Sequence, residues 1–174
     1  MLRLWLEASG WRHRLVGMVL TLAQVGPRPP KTGVKAGYEA LVSMYLERVG
    51  AWHTALTETQ ATEAAMLEWF GRTGKGRSVA VPVLLDSRGK GMSSGEFARW
   101  IGAKRDQGVQ HLAFAIGPAD GWSEGSLGFA REHGGMVLSL GAMTMAHDLA
   151  RLVLAEQVYR ACTILAGHPY HTGH

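Results

Sequence analysis

The chain has 174 residues, 47% of them apolar and 18% charged, with 6 prolines and a single cysteine. That length and apolar share suit one domain with a sizeable core and exclude intrinsic disorder. One cysteine excludes a disulfide framework and a multi-thiolate zinc site, and no run reaches the roughly 18 apolar residues of a membrane span. Residues 1–105 carry 15 Lys and Arg against 8 Asp and Glu, whereas residues 106–174 carry 3 against 6. Such asymmetry fits a protein that meets a polyanion with one face, and it fits a merely solvated surface equally well. The 23 glycines call for many tight turns or close backbone approaches, as around a bound cofactor.

Residues 1–17 stand apart from the rest of the chain. Arg12, His13 and Arg14 precede an apolar run at 15–25, the outline of a signal peptide, but Glu7 and the Pro27-Arg28-Pro29-Pro30 turn argue against export. They read as an extension or a mis-set start ahead of Met18, with residues 18–174 as a single domain. Val19–Val25 reads as the first strand. Residues 31–49 read as a helix with Val34, Tyr38, Leu41, Val42 and Tyr45 on one stripe. A short strand at 52–59 and a helix at 61–70 come next, and the helix runs into a glycine cluster at 71–76. Residues 79–85 are nearly all apolar, as buried parallel strands are.

Ser93 or Ser94 can cap a helix running to about Lys104. Then come a strand over His111–Ile116, a helix at 123–133 and a short strand at 136–140. From 148 to 165 the strongly polar side chains are Asp148, Arg151, Glu156, Gln157 and Arg160. A helix so apolar is covered on several faces, which points to a subunit interface as well as the core. Gly167 and Pro169 end it. Alternating strands and helices predict an α/β fold with a mostly parallel sheet.

Several tempting motifs fail. Neither Gly74-Lys75 nor Gly89-Lys90 has the upstream glycine or the following Ser/Thr of a phosphate loop. Residues 86–91 sketch a calcium loop, but Arg88 and Lys90 would repel the ion. Arg72, Lys75, Arg77, Arg88 and Lys90 are then either solvated turns or a phosphate-contacting patch. His168, His171 and His174 are three residues apart, yet Pro169 breaks the helix a metal would need, so no metal is expected. Cys162, Met136, Met143 and Met145 read as packing residues. The segments 116–121 and 140–145 each leave a strand through glycine, where open α/β sheets bind ligands.

Taken together, the motifs resemble the RlmH family, the 23S rRNA pseudouridine-N3 methyltransferases of the SPOUT class. The likeness runs from Met18 to His171. Its parts are Met18-Val-Leu-Thr-Leu-Ala-Gln-Val-Gly26, Leu85-Asp86 with Gly89-Lys90, and Ser93-Ser94-Gly-Glu96-Phe97-Ala98. Further on come Phe114-Ala-Ile116-Gly117 with Gly121, then Met143-Thr144 with His147 and Arg151. It closes with Leu154-Ala-Glu156-Gln157-Val-Tyr159-Arg160-Ala161 and His168-Pro169-Tyr170-His171.

The resemblance implies a SPOUT-type domain with a parallel sheet and a C-terminal deep trefoil knot, working as a cytoplasmic homodimer. It implies S-adenosylmethionine as cofactor and 23S rRNA in the assembled ribosome as substrate, with no membrane partner. On that reading Leu85, Gly117 and Pro118, with Leu140, Gly141, Ala142, Met143, Thr144, Met145 and Ala146, hold the cofactor, largely through backbone. The helix at 148–165 packs in the dimer, His147 and Arg151 lie near the reaction centre, and Tyr170 and His171 reach the neighbouring subunit's site.

Ionising an imide N3–H whose pKa is about two units above neutral costs about 2.7 kcal/mol. An arginine near the anion or a histidine taking the proton can supply that. Arg151 is thus cast as electrostatic stabiliser, and His147 or His171 as proton acceptor. Three positions depart from the family's usual pattern: Pro118 stands for a glycine, Ala146 for a proline and Thr172 for a basic residue. Two alternatives stay open, a non-catalytic RNA- or ribosome-binding dimer and a SPOUT methyltransferase for another RNA.

Overall fold

The computed structural model describes residues 17–30, 32–72 and 79–171. Residues 1–16, Lys75, Arg77, Thr172 and His174 lie outside the described residues, and with them most of the N-terminal extension. The elements alternate strictly: β1 (Val19–Val25), α1 (Val34–Val49), β2 (Thr54–Gln60), α2 (Glu63–Arg72) and β3 (Val81–Gly91). They continue with α3 (Ser94–Asp106), β4 (His111–Ile116), α4 (Glu124–Glu132), β5 (Met136–Ser139) and α5 (His147–Leu165), and close in a 3-10 turn at Pro169–His171.

All five strands run parallel, in the order β2-β1-β4-β3-β5. Parallel neighbours need crossovers, and the alternating side chains of each strand feed two cores. Leu20, Leu22, Val83, Leu112 and Phe114 pack with α1, α3 and α5 on one face. Ala23, Val25, Leu84, Ala113 and Ala115 pack with α2 and α4 on the other. β4, central and covered on both sides, is buried at every residue. No helix among the described residues is long and apolar enough to cross a membrane.

Local chemistry explains the helix starts. Ser93 caps α3 through a reciprocal capping box with Glu96, and Ser123 caps α4 by accepting from the Ser126 amide. Two expectations need correction. The stripe read on α1 is rotated: Val42, Leu46 and Val49 are buried, whereas Val34 is 84% exposed and Leu41 44%. Val34 and Leu41 are apolar without being buried, so a stripe drawn through them misassigns the buried face.

The strand expected to end at Leu85 instead runs to Gly91. It pairs with β5 twice, with Leu85 and Lys90 both facing Leu138 across a bulge. Gly89 makes this possible. A Cβ there would lie 2.7 Å from the Leu138 carbonyl carbon.

At the opposite end of the sheet from the bulge, His53 is buried with its Nδ1 unpartnered. Burial, reinforced by the nearby Arg105 charge, pushes its pKa down to about 4. The unfolded chain takes up a proton as pH falls through about 6.5, while the folded chain stays neutral until about 4. His53 therefore adds stability in full above pH 6.5, and this is lost as pH falls toward 4, by about 3 kcal/mol. Urea unfolding of the wild type and His53→Gln between pH 7.5 and 4.5 should show the wild type losing that much more; parallel curves would refute it.

Candidate functional site

β3, β4 and β5 end side by side at their carboxyl ends, and there a cavity of about 450 Å³ opens. This is where open α/β sheets bind ligands, because the loops diverge beyond the last ladder pair. The last pair of β3 and β4 is Leu85 with Ile116. There the Trp122 indole N–H donates to the Leu85 carbonyl at 3.0 Å. The same ring covers Gly117, where a Cβ would come within 2.8 Å of Trp122 Nε1. Gly117 is thus required by the packing of a tryptophan five residues further on.

A turn comes next in which the Gly121 amide donates to the Pro118 carbonyl at 2.9 Å, with Gly121 at φ 85°. The third wall is the 140–146 segment. Gly141, at φ 134°, donates its amide to Ser139 Oγ at 3.2 Å, which bends the chain away from β5.

Of the expected cofactor residues, Leu85, Gly117, Pro118, Leu140, Gly141, Met143, Thr144 and Met145 line the cavity. Ala142 and Ala146 are exposed and do not line it. Met143 is 84% exposed at the rim, so reading it as a packing residue is corrected. His147 starts α5 and lines the cavity, half-buried, with its Nε2 covered and unpartnered. Burial lowers its pKa, with Arg151 and Lys35 acting the same way, while Asp148 and a hydrogen bond to the Gly117 backbone oppose the shift. The imidazole is therefore neutral at neutral pH, with its unpartnered Nε2 covered in this structure.

Arg151, one turn further along α5, is buried but does not line the cavity. Its terminal nitrogens are held by the Glu39 carboxylate of α1, with Nη2 donating to Oε1 at 3.2 Å and Nη1 to Oε2. Tyr170 stands at the far end of α5, about 28 Å of helix away at 1.5 Å per residue. Its hydroxyl donates to Glu156 at 3.1 Å, its ring meets Tyr159 edge-on, and the Arg160 guanidinium sits 5.0 Å over it. Burial, with the Tyr45 hydrogen bond and the Glu156 charge, pushes the phenol up to about 12, so it remains a donor. His171 closes the same 3-10 turn, and its side chain lies outside the described residues.

Sequence reading overlooked the electrostatics of the cavity. Its ionised lining groups are Asp86 and Asp120, and neither Lys nor Arg lines it. Arg88, read as a solvated turn or a phosphate contact, is neither. It donates to Asp86 at 2.8 Å, to Glu124 at 2.5 Å and to the Trp122 carbonyl at 2.7 Å. The guanidinium beside Asp86 holds that carboxyl down at about 2. Arg88 thus ties the bulge of β3 to the start of α4, behind the cavity wall. Among the described residues no group of three His, Cys, Asp or Glu is placed to hold a metal.

The chain is similar over most of its length to known proteins. A Ribosomal RNA large subunit methyltransferase H from Koribacter versatilis is 46% identical over 140 residues, covering 80% of this chain and 92% of that protein. Proteins of the same name from Rhizobium meliloti and Agrobacterium fabrum are 41% and 44% identical, covering 79% and 83% of this chain and 92% and 83% of their own lengths. A solved Ribosomal RNA small subunit methyltransferase E from Neisseria gonorrhoeae, bound to S-adenosyl methionine, superposes with a TM-score of 0.49 at 14% identity, over 85% of this chain and 66% of that one. The family described as "Predicted SPOUT methyltransferase" matches residues 18–171, and the chain belongs to the SPOUT methyltransferase family.

Proposed function

We propose that the chain methylates N3 of a pseudouridine in 23S rRNA of the assembled ribosome, using S-adenosylmethionine. The carrying observation is the cavity, which draws together Leu85, Gly117 and the 140–145 segment in a chain alike over most of its length to large-subunit rRNA methyltransferases. Its residues suit that cofactor. A volume of about 450 Å³ takes a nucleoside with a side chain, and its acidic lining without Lys or Arg suits a net positive ligand. Leu85, Ile116, Leu138 and Leu140 offer apolar surface, and the 117 and 141 positions bring backbone close.

Bound there, S-adenosylmethionine supplies a methyl group on a positively charged sulfur. The chain supplies position and a proton acceptor. His147, neutral and with Nε2 unpartnered, takes the imide proton. Arg151, one turn on and paired with Glu39 outside the cavity lining, supports His147 rather than contacting the base. Pro118 contributes ring and carbonyl but no N–H to the wall, which favours the second reading, a non-catalytic RNA-binding dimer.

In this proposal the molecule is a knotted homodimer. Residues 138–141 border the cavity walled by 85–87 and also a second one walled by 91–94. That placement supports a chain threaded inside the 86–93 excursion. Val34 and Leu41 of α1 and Leu149 of α5 are exposed apolar residues that a second copy would cover. Tyr170 is too far along α5 to reach its own cavity, which supports its service, with His171, in the partner's site.

Three outcomes test this. Calorimetric titration with S-adenosylmethionine should show micromolar binding, weakened about tenfold (about 1.4 kcal/mol) by Gly117→Ala, whose methyl displaces Trp122. No binding by the wild type would favour the second reading. Labelled methyl should appear at one 23S pseudouridine in unmodified ribosomes; label in another RNA would reassign the substrate. Finally, His147→Ala and Tyr170→Phe should each be nearly inactive, yet an equal mixture of refolded subunits should recover about one quarter of wild-type activity, from heterodimers with one intact composite site. Failure to recover any would place Tyr170 outside the partner's site.

A further inference from the structure

Arg151 is anchored in an unusual way for a residue beside a reaction centre. Its side chain is 7% exposed, its Nε is covered and unpartnered, and among the described residues Glu39 is its ion-pair partner. Glu39 comes from α1, 112 positions earlier, and is itself 29% exposed. A buried guanidinium without that carboxylate would project an uncompensated charge onto its surroundings. On the same helical face lie Asp148, three residues earlier and paired with Lys35, and His147, four residues earlier and lining the cavity.

We infer that Glu39 is a positioning residue that acts on His147 through Arg151. Its carboxylate fixes the guanidinium and offsets its charge, so that the imidazole one turn away keeps its capacity to accept a proton. Of the other charges facing His147, Asp148 raises its pKa and pairs at 3.7 Å with Lys35, which lowers it less, and Asp86 is engaged by Arg88. Asp120 lies on the exposed 118–121 turn across the cavity. The lowering of the His147 pKa by Arg151 has the sign this coupling requires. The inference rests on the methyl-transfer reading above for its catalytic meaning, but the coupling itself is a property of the free chain.

The test is Glu39→Gln, alone and in an Arg151→Gln background, with the His147 imidazole titrated by NMR in the full chain without cofactor or RNA. In Glu39→Gln the His147 pKa should fall by about half a unit. Turnover on ribosomes should drop about tenfold with KM and cofactor affinity within about twofold. In the Arg151→Gln background the same change should move turnover by less than about twofold, because Glu39 then has nothing to hold. An unchanged His147 titration, or an equal loss in both backgrounds, would overturn the inference.

Should Glu39→Gln fail to fold, Glu39→Asp keeps the charge and shortens the reach by one methylene. Turnover and the His147 titration should then shift together, and a fall in turnover with the titration unmoved would overturn the inference. If the wild type itself transfers no methyl to 23S rRNA, the reaction assignment fails, and the His147 titration still decides whether Glu39 governs it.

Discussion

The Trp122 indole solves a problem that every parallel sheet meets where its strands part. Beyond Leu85 and Ile116 the β3–β4 ladder stops, and the Leu85 carbonyl takes a side-chain donor. Trp122 donates to it and at the same time fills the space over Gly117, so one ring satisfies a backbone group and sets the spacing of two loops. The cavity exists because the strands diverge, and it keeps its shape because this ring holds them at a fixed separation. Arg88 extends the brace by tying Asp86 to the Trp122 carbonyl and to Glu124. These contacts lie on the side of the cavity opposite α5, which leaves the first turn of α5 to present its side chains.

Charge is distributed with the same division of labour. The chain as a whole is basic, by +4, yet the cavity has Asp86 and Asp120 in its wall and no Lys or Arg. A site for a cationic ligand and a surface for a polyanion make opposite demands, and a domain of this size can meet both only by separating them in space. Arg88 and Arg151 show how that is done. Each guanidinium close to the site is spent on a carboxylate, by two or more hydrogen bonds, and neither points into the cavity.

Much of this was legible in the sequence. β4 was readable to the residue, because its covered position in the sheet makes it continuously apolar. The start of α3 was narrowed to Ser93 or Ser94 by their capping chemistry, whereas the cap that Ser123 makes on α4 was not read. The three segments around the cavity could be found from glycine after strand ends and from family resemblance. What stayed hidden depends on distance along the chain. Glu39 carries no local mark of its partnership with Arg151, and the need for Gly117 is set by a tryptophan in the next turn. The continuation of β3 to Gly91 was missed because polar residues 86–90 look like a turn, and only pairing with β5 makes them a strand. On α1 the pattern misled because Val34 and Leu41 are apolar without being buried.

β5 is four residues long and is gripped at both ends by contacts in which no side chain fits. At its start a Cβ on Gly135 would lie 1.7 Å from the Pro82 carbonyl oxygen, and at its end Gly89 presses on Leu138. Both grips come from β3, some fifty positions earlier, so β5 has no local partner to help it form and must close a long loop to dock. The fold therefore has a built-in order of assembly, in which β5 and α5 arrive last, at a frame already made. During synthesis, which delivers the N-terminal end first, the outer edge of β3 stays open until the final strand and helix have left the exit tunnel. An open parallel edge is a template for wrong pairing. For this chain the dangerous interval closes with the same strand that completes the cavity.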